Sequence, residues 1–382
     1  MDAFTPGERP GTNPMEFKMK TGSTLDDLLV ELERRAEGKR DLVVPTNHLR
    51  MTEDKRVIVD DREEYDLNGI AHDQIGEWCG IPGKYYDKML TNDPKLLSTN
   101  VNAWFGRKNE KGDFDRRMLR TINKTGRAFL SDSYRQLENE DLALVVIPAL
   151  RDAGADIMSC QVTDRRLYIK AVDPKVTREL KAVGGKFGDG QHNIVRCLAP
   201  AITISNSEVG MGATSVLGGV YDSWCSNLAT FGERSVRKYH VGARHQIVGE
   251  EHYAVLTDET RAKTDEATLA QIRDVVKAAF ERAKFDALCN KIAETQEHKI
   301  DGDPTQVVTL TSRKLGLTEG EGKLTLRHLM EGADYSRFGL YNAITRAAQD
   351  VESYDRATEL ERIGAQVIEL PAKDWKPILQ AA

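Results

Sequence analysis

Nothing in the 382 residues approaches the roughly 20 consecutive apolar side chains that a bilayer span requires, so a membrane-spanning protein is not expected. Cysteine is sparse. Five residues (Cys79, Cys160, Cys197, Cys225 and Cys289) stand far apart without a C-x-x-C pair, which argues against a zinc knuckle and for reduced thiols in a cytoplasmic setting. The opening stretch MDAFTPGERPGTNPMEF lacks a basic segment followed by an apolar one and does not read as a secretory signal. Internal repeats and sustained heptads are missing too, which excludes a solenoid or a long coiled coil.

An excess of positive charge is also missing, because the net charge is −6. The average hides a pattern. Residues 1–100 carry 14 basic and 20 acidic side chains, residues 101–249 carry 22 and 16, and residues 250–382 carry 18 and 24. A basic centre between acidic flanks fits a polyanion site held in one part of the chain.

Pattern and punctuation divide the chain into a lead-in (1–20), a mixed α/β N-terminal region (21–100), a basic β-rich core (101–257) and a mostly helical C-terminal region (258–382). Thr24 or Ser23 can cap a first helix, with Asp26 and Asp27 in its first turn and Leu28, Leu29, Leu32 and Ala36 at helical spacing. VPTNHLRM reads as extended, and RVIVDDREEYDLN as a strand running into an acidic turn. Residues 70–90 read helix, turn, helix. That layout imitates a DNA-reading motif, but Lys84 and Lys88 are the only cations of its second half, so a plain helical hairpin fits better.

The core starts with a hairpin, RRMLRTINKTGRAFLSDSY, turning at Asn123–Gly126, and continues with a helix over 138–151. A second hairpin follows, DIMSCQVTDRRLYIKAV. Met158, Cys160 and Val162 alternate on one strand and Leu167, Ile169 and Ala171 on the next, so these six face the interior and Arg166, Tyr168 and Lys170 face away. After the glycine-rich VGGKFGDGQ, a third strand spans IVRCLAPAITISNS, while 214–229 fits strand or helix equally. Residues 258–297 form one long amphipathic helix with Leu269, Ile272, Val276, Phe280, Ala283 and Leu288 on its stripe. Helices over TQVVTLTSRKLGL, KLTLRHLMEG and Phe338–Ala365 follow, then a short strand QVIEL. The expected class is α+β: a central antiparallel sheet of β-hairpins with packed helices, a mixed N-terminal part and a helical C-terminal part.

Catalytic signatures are thin. Phe187 follows Lys186 where a phosphate loop needs Ser or Thr, EVGMGA lacks the third glycine of a dinucleotide fingerprint, and neither G-x-S-x-G nor H-E-x-x-H occurs. Asp60, Asp61, Glu63, Glu64 and Asp66 read as a solvated acidic turn. No cofactor and no metal site is expected.

Binding signatures are richer. RSVRKYHVGARH brings Arg234, Arg237, Lys238 and Arg244 together with Tyr239, His240 and His245 and has no acid. Cations neutralise phosphates and flat rings stack on unpaired bases. The same combination recurs at Arg166, Tyr168 and Lys170, and the first hairpin adds Arg116, Arg117, Arg120, Lys124 and Arg127. Each group alone is equally what a solvated face looks like; three in one region favour binding.

RAFLSDSYRQLENEDL (127–142), ITISNSEVGMGATSVLGGVYDSWCSN (202–227), the segment ending in Arg244-His245, and YNAITRAAQDVESYDRATELERIGAQVIEL (341–370) resemble the phage/plasmid-like family catalogued as domain of unknown function 932, over roughly residues 20–370. Leu228-Ala229 depart from that family, in which Gly follows C-x-N. The resemblance implies a setting among phage and plasmid DNA-metabolism proteins. Its hairpin, helix, hairpin centre is similar to single-strand annealing recombinases. The expectation is therefore a cytoplasmic, oligomeric protein of phage or mobile-element recombination that binds and anneals single-stranded DNA, with host or phage replication and recombination proteins as further partners. Two rivals stand beside it: a nucleic-acid-modifying enzyme using Glu208, His240 or His245, and an interaction protein that targets a host factor without touching DNA.

Overall fold

The computed structural model describes residues 22–134, 137–181, 195–222, 227–231, 245–246, 253–254 and 258–381. Helix α1 (Leu25–Gly38) starts at a capping box, the Asp27 amide donating to the Thr24 hydroxyl while the Asp27 carboxylate accepts from the Thr24 amide. Strands β1 (Lys39–Pro45), β2 (Leu49–Met51), β3 (Val57–Val59) and β4 (Glu63–Leu67) follow, then helices α2 (Gly69–Trp78), α3 (Gly83–Asn92) and α4 (Pro94–Phe105), then the first hairpin, β5 (Arg116–Ile122) and β6 (Thr125–Ser131). The six strands form one sheet in the order β1-β5-β6-β4-β3-β2, with β4 and β6 parallel.

This sheet corrects the expected boundary at residue 100, because β1 pairs along its whole length with β5, from Lys39 opposite Ile122 to Pro45 opposite Arg116. The α2–α3 pair is a helical hairpin, turned by Gly80 at φ 68°, and Tyr86 and Met89 of its second helix are buried against Ile75, Leu97 and Val101.

Helix α5 (Asn139–Asp152) leads into a second, antiparallel sheet built from β7 (Asp156–Val162), β8 (Leu167–Val172), β9 (Arg178–Lys181), β10 (Val195–Asn206), β11 (Ser215–Asp222) and β12 (Asn227–Thr230). Its order is β12-β11-β10-β8-β7, with β9 beside the start of β10, so the described residues of 214–229 are largely strand. Strands β13 (His245–Gln246) and β14 (Tyr253–Ala254) pair separately. Cys160, Leu167, Ile169, Ala171, Ile202 and Ile204 pack one face against Leu142, Val146 and Leu150 of α5. Met158 lies on the other face, against residues such as Val172, Ala199 and Tyr221. A register shift between Ile157 and Ser159 inserts one residue, which turns the following side chains over and returns Cys160 to the inner face. Leu167 is fully buried. Leu167→Ala is expected to lower unfolding free energy by about 3 kcal/mol in urea titrations. A change below about 0.5 kcal/mol would show that the core closes over the gap.

The long helix expected over 258–297 is two, α6 (Asp258–Ala279) and α7 (Arg282–Glu294), separated at Glu281, whose ψ of 124° is extended. The break redirects one apolar stripe to two cores: Leu269, Ile272, Val276 and Phe280 pack with the second sheet, while Phe285, Cys289 and Ile292 join the C-terminal helices. Those are α8 (Pro304–Leu315), α9 (Glu319–Gly332), α10 (Arg337–Asp350), α11 (Tyr354–Glu369) and α12 (Ala372–Leu379). QVIEL is not a strand; it ends α11, where buried Val367 and Ile368 continue the helical spacing of Leu360 and Ile363. Gly364 lets α11 approach α10, since a Cβ there would lie 2.4 Å from the Thr345 methyl. The fold is α+β, and no helix among the described residues is long and apolar enough to cross a membrane.

Candidate nucleic-acid interface

The first hairpin divides its cations. Arg116 and Lys124 are exposed, Lys124 sitting 5.1 Å above the Tyr65 ring in the turn, and Arg117 is half-buried 5.0 Å from the Phe129 ring. Arg120 and Arg127 correct the expectation of a solvent face, because both are buried. Arg120 donates to Asp41 (2.9 Å), to the Glu208 carbonyl (2.8 Å) and to the Glu138 carboxylate, and Arg127 donates to Glu208 (2.5 Å). A guanidinium enters an interior only with such partners.

Glu208 is the centre of this network. Its carboxylate accepts from the Lys39 ammonium at 2.6 Å, from Arg127 and from the Asn139 amide at 2.7 Å, at the start of α5. Burial pushes the Glu208 carboxyl up, but the charges of Arg127 and Lys39 outweigh it and hold the group well below the usual carboxylate range. Glu138 goes the other way, raised chiefly by burial. Burial lowers the Lys39 ammonium and the charges of Glu208 and Glu138 outweigh that, so it stands above its ordinary value. Glu138, Glu140 and Glu208 bring ligand oxygens within 4.8 Å of one another, a spacing suited to a metal ion. Lys39 donates to all three at 2.6–2.9 Å, so its ammonium is the cation at that point. With both carboxylate oxygens engaged, Glu208 is set up to hold the two sheets together, not to act as an acid or base.

The rest of S-N-S-E-V-G-M-G-A does similar structural work. Asn206 donates to the Leu137 carbonyl (2.7 Å) and accepts from Thr214 (2.6 Å), and Ser207 donates to the Arg165 carbonyl (2.8 Å).

The second hairpin's outer face is covered by α11, which corrects the placement of Tyr168 and Lys170 in solvent. Tyr168 is 5% exposed, donates to Asp355 at 2.8 Å and lies 5.5 Å from the Tyr354 ring. Lys170 donates to Glu361 at 2.7 Å, and its Nζ is 4.7 Å from the Tyr354 ring centre. Arg166 is half-buried at the edge of this contact. Arg234, Arg237, Lys238, Tyr239, His240 and Arg244 lie outside the described residues; His245 begins β13, opposite Ala254.

What the structure assembles instead is a cleft of about 570 Å³ between α11 and the outer face of the second sheet. Its sheet side carries a row of hydroxyls, Tyr168, Ser205 and Ser215 standing abreast on β8, β10 and β11, with Thr203 and Thr230 beyond them. Its rim carries Arg165, Arg166, Arg356 and Arg362 against Asp355 and Glu359, and Glu321 behind the rim pairs with Arg356 at 2.7 Å. Asp355 accepts from the Tyr168 and Thr163 hydroxyls, and Glu359 pairs with Arg356 at 2.6 Å. Arg166 donates to the Ser205 hydroxyl (3.2 Å) and the Ala213 carbonyl (3.1 Å) and makes no ion pair among the described residues. Gly212 makes that seat possible: at φ 134° it adopts a backbone few other residues tolerate, and a Cβ there would lie 1.9 Å from Arg166. The guanidinium groups of Arg165 and Arg362 have no hydrogen-bond or ion-pair partner among the described residues.

Of the expected binding residues, Arg166 and Tyr168 line this cleft, while the first hairpin's do not. Sequence reasoning missed Arg165, Arg356 and Arg362. The run Asp355, Arg356, Glu359, Arg362 looks like an ordinary solvated helix face, and only the docking of α11 turns it toward β8. Comparisons with family models, curated proteins and solved structures find no match to this chain, so the family resemblance rests on the quoted residues alone.

Proposed function

We propose that this chain is a cytoplasmic single-stranded DNA-binding and annealing protein of phage or mobile-element recombination, acting as a homo-oligomer. The observation that carries the reading is the arginine cleft, lined by Arg166, which makes no ion pair among the described residues, and by the guanidinium groups of Arg165 and Arg362 beside a hydroxyl floor. Guanidinium groups grip phosphates and carry no sequence preference by that contact, which leaves base edges free to meet a complement. The revised reading gives no stacking role to Tyr168, whose ring packs on Tyr354.

The test is binding of a labelled oligothymidine at about 50 and about 200 mM salt, followed by fluorescence anisotropy. Three phosphate contacts imply a slope of about −2 in log affinity against log salt, and Arg165→Gln with Arg362→Gln is expected to bring it to about −0.7. Circular dichroism should show both proteins equally folded. Absence of binding, or a slope unaltered in the double variant, overturns the assignment of this cleft.

A further inference from the structure

We infer that the cleft is a seat for a terminal phosphomonoester, so that it holds the phosphorylated end of a strand in preference to its interior. The inference rests on the single-strand reading for its DNA context and on the charge of the cleft for its chemistry. An internal phosphodiester carries one negative charge; a terminal phosphomonoester carries about −1.5 to −2 at neutral pH and three acceptor oxygens on one phosphorus. Arg356 is taken up by Glu321 and Glu359, and the other three arginines, Arg165, Arg166 and Arg362, are gathered on a cleft of about 570 Å³ instead of being spread along a track, which suits several acceptors on one phosphorus.

The donors fit as well. Each guanidinium offers five N–H groups. Arg166 spends one on Ser205 and one on Ala213, which fixes its plane, and Arg165 and Arg362 have all of theirs to give. Asp355 keeps its negative charge under the hydrogen bonds of the Tyr168 and Thr163 hydroxyls, and Glu359 shares Arg356 with Glu321, so Arg165, Arg166 and Arg362 supply the attraction for a phosphate. The hydroxyls of Thr203 and Thr230, 3.4 Å apart, line the cleft together with those of Ser205 and Ser215 and give the sugar and base of the end nucleotide polar contacts.

The experiment compares one oligothymidine in three forms, with a 5′-phosphate, with a 3′-phosphate and with hydroxyls at both ends, using thymidine monophosphate and inorganic phosphate as competitors. One phosphorylated form is expected to bind about tenfold tighter than the unphosphorylated strand, and which one identifies the end. Arg166→Gln, with unchanged circular dichroism, is expected to remove that preference while weaker, salt-dependent strand binding persists. Equal affinity for all three strands overturns the phosphomonoester seat and leaves single-strand binding standing. Failure to bind any strand, together with saturable binding of thymidine monophosphate or phosphate that Arg166→Gln abolishes, upholds the seat and overturns the single-strand reading. Failure to bind any of these probes overturns both.

Discussion

Glu208→Gln is expected to lower the unfolding free energy at neutral pH by about 3–5 kcal/mol, because removing one partner of a buried ion pair strands the other in the interior. The stranded group is Arg127. Lys39 keeps Glu138 and Glu140, whereas Arg127 loses the carboxylate it donates to and already has Nε and Nη2 without a partner. Adding Arg127→Leu in the same chain should recover a large part of the loss, since it removes the stranded guanidinium and leaves a neutral interior. The pH dependence has a definite sign. The Glu208 carboxyl lies below its unfolded value of 4.5, so its contribution is complete above that value and is lost as pH falls beneath it. Glu138 is raised, so it favours the folded state on the acid side and loses that contribution as pH rises through its folded value. Urea titrations at about pH 7 and about pH 4 should therefore show a shallower acid loss in Glu208→Gln than in the parent. A change of under about 1 kcal/mol at neutral pH, with no benefit from Arg127→Leu, would mean the network contributes little.

Local signals were legible wherever an element is decided by its own residues. The Thr24 cap, the Gly80 turn, the hairpin turn at Asn123 and the inward side of Leu167 and Ile169 each follow from neighbours a few positions away. Long-range choices were not. Alternation places Tyr168 and Lys170 opposite the α5-facing core, which is correct, but nothing local says that α11 covers that side with Asp355 and Glu361 matched to them. Arg120 and Arg127 read as a basic strand because Asp41, Glu138 and Glu208, which neutralise them, come from three distant segments. The bulge at Met158 and the break at Glu281 are likewise set by the surfaces on which those elements dock. Gly212 did carry a signal. The G-x-G of EVGMGA, without the third glycine of a dinucleotide fingerprint, is a bend whose second glycine gives room to a guanidinium.

The contact between α11 and the second sheet supplies the other large effect. Lys170→Met alone is expected to cost about 3–5 kcal/mol, because it takes from the Glu361 carboxylate, 1% exposed, the ammonium that donates to it at 2.7 Å. Adding Glu361→Leu should bring stability back to within about 1 kcal/mol of the parent, since two well-packed apolar side chains replace a pair that had to be desolvated. The two variants also separate folding from binding. Arg362 follows Glu361 on α11 and Arg166 stands on the hairpin beneath, so the cleft exists only while helix and sheet stay docked. In Lys170→Met a loosened α11 should weaken strand binding along with the fold. In the double variant the arginines return to place, and affinity for single strands should recover with stability. A double variant as unstable as the single one would show that Lys170 and Glu361 are not interchangeable with apolar packing. A double variant that regains stability but not binding would mean that the arginines do not return to place when the fold does.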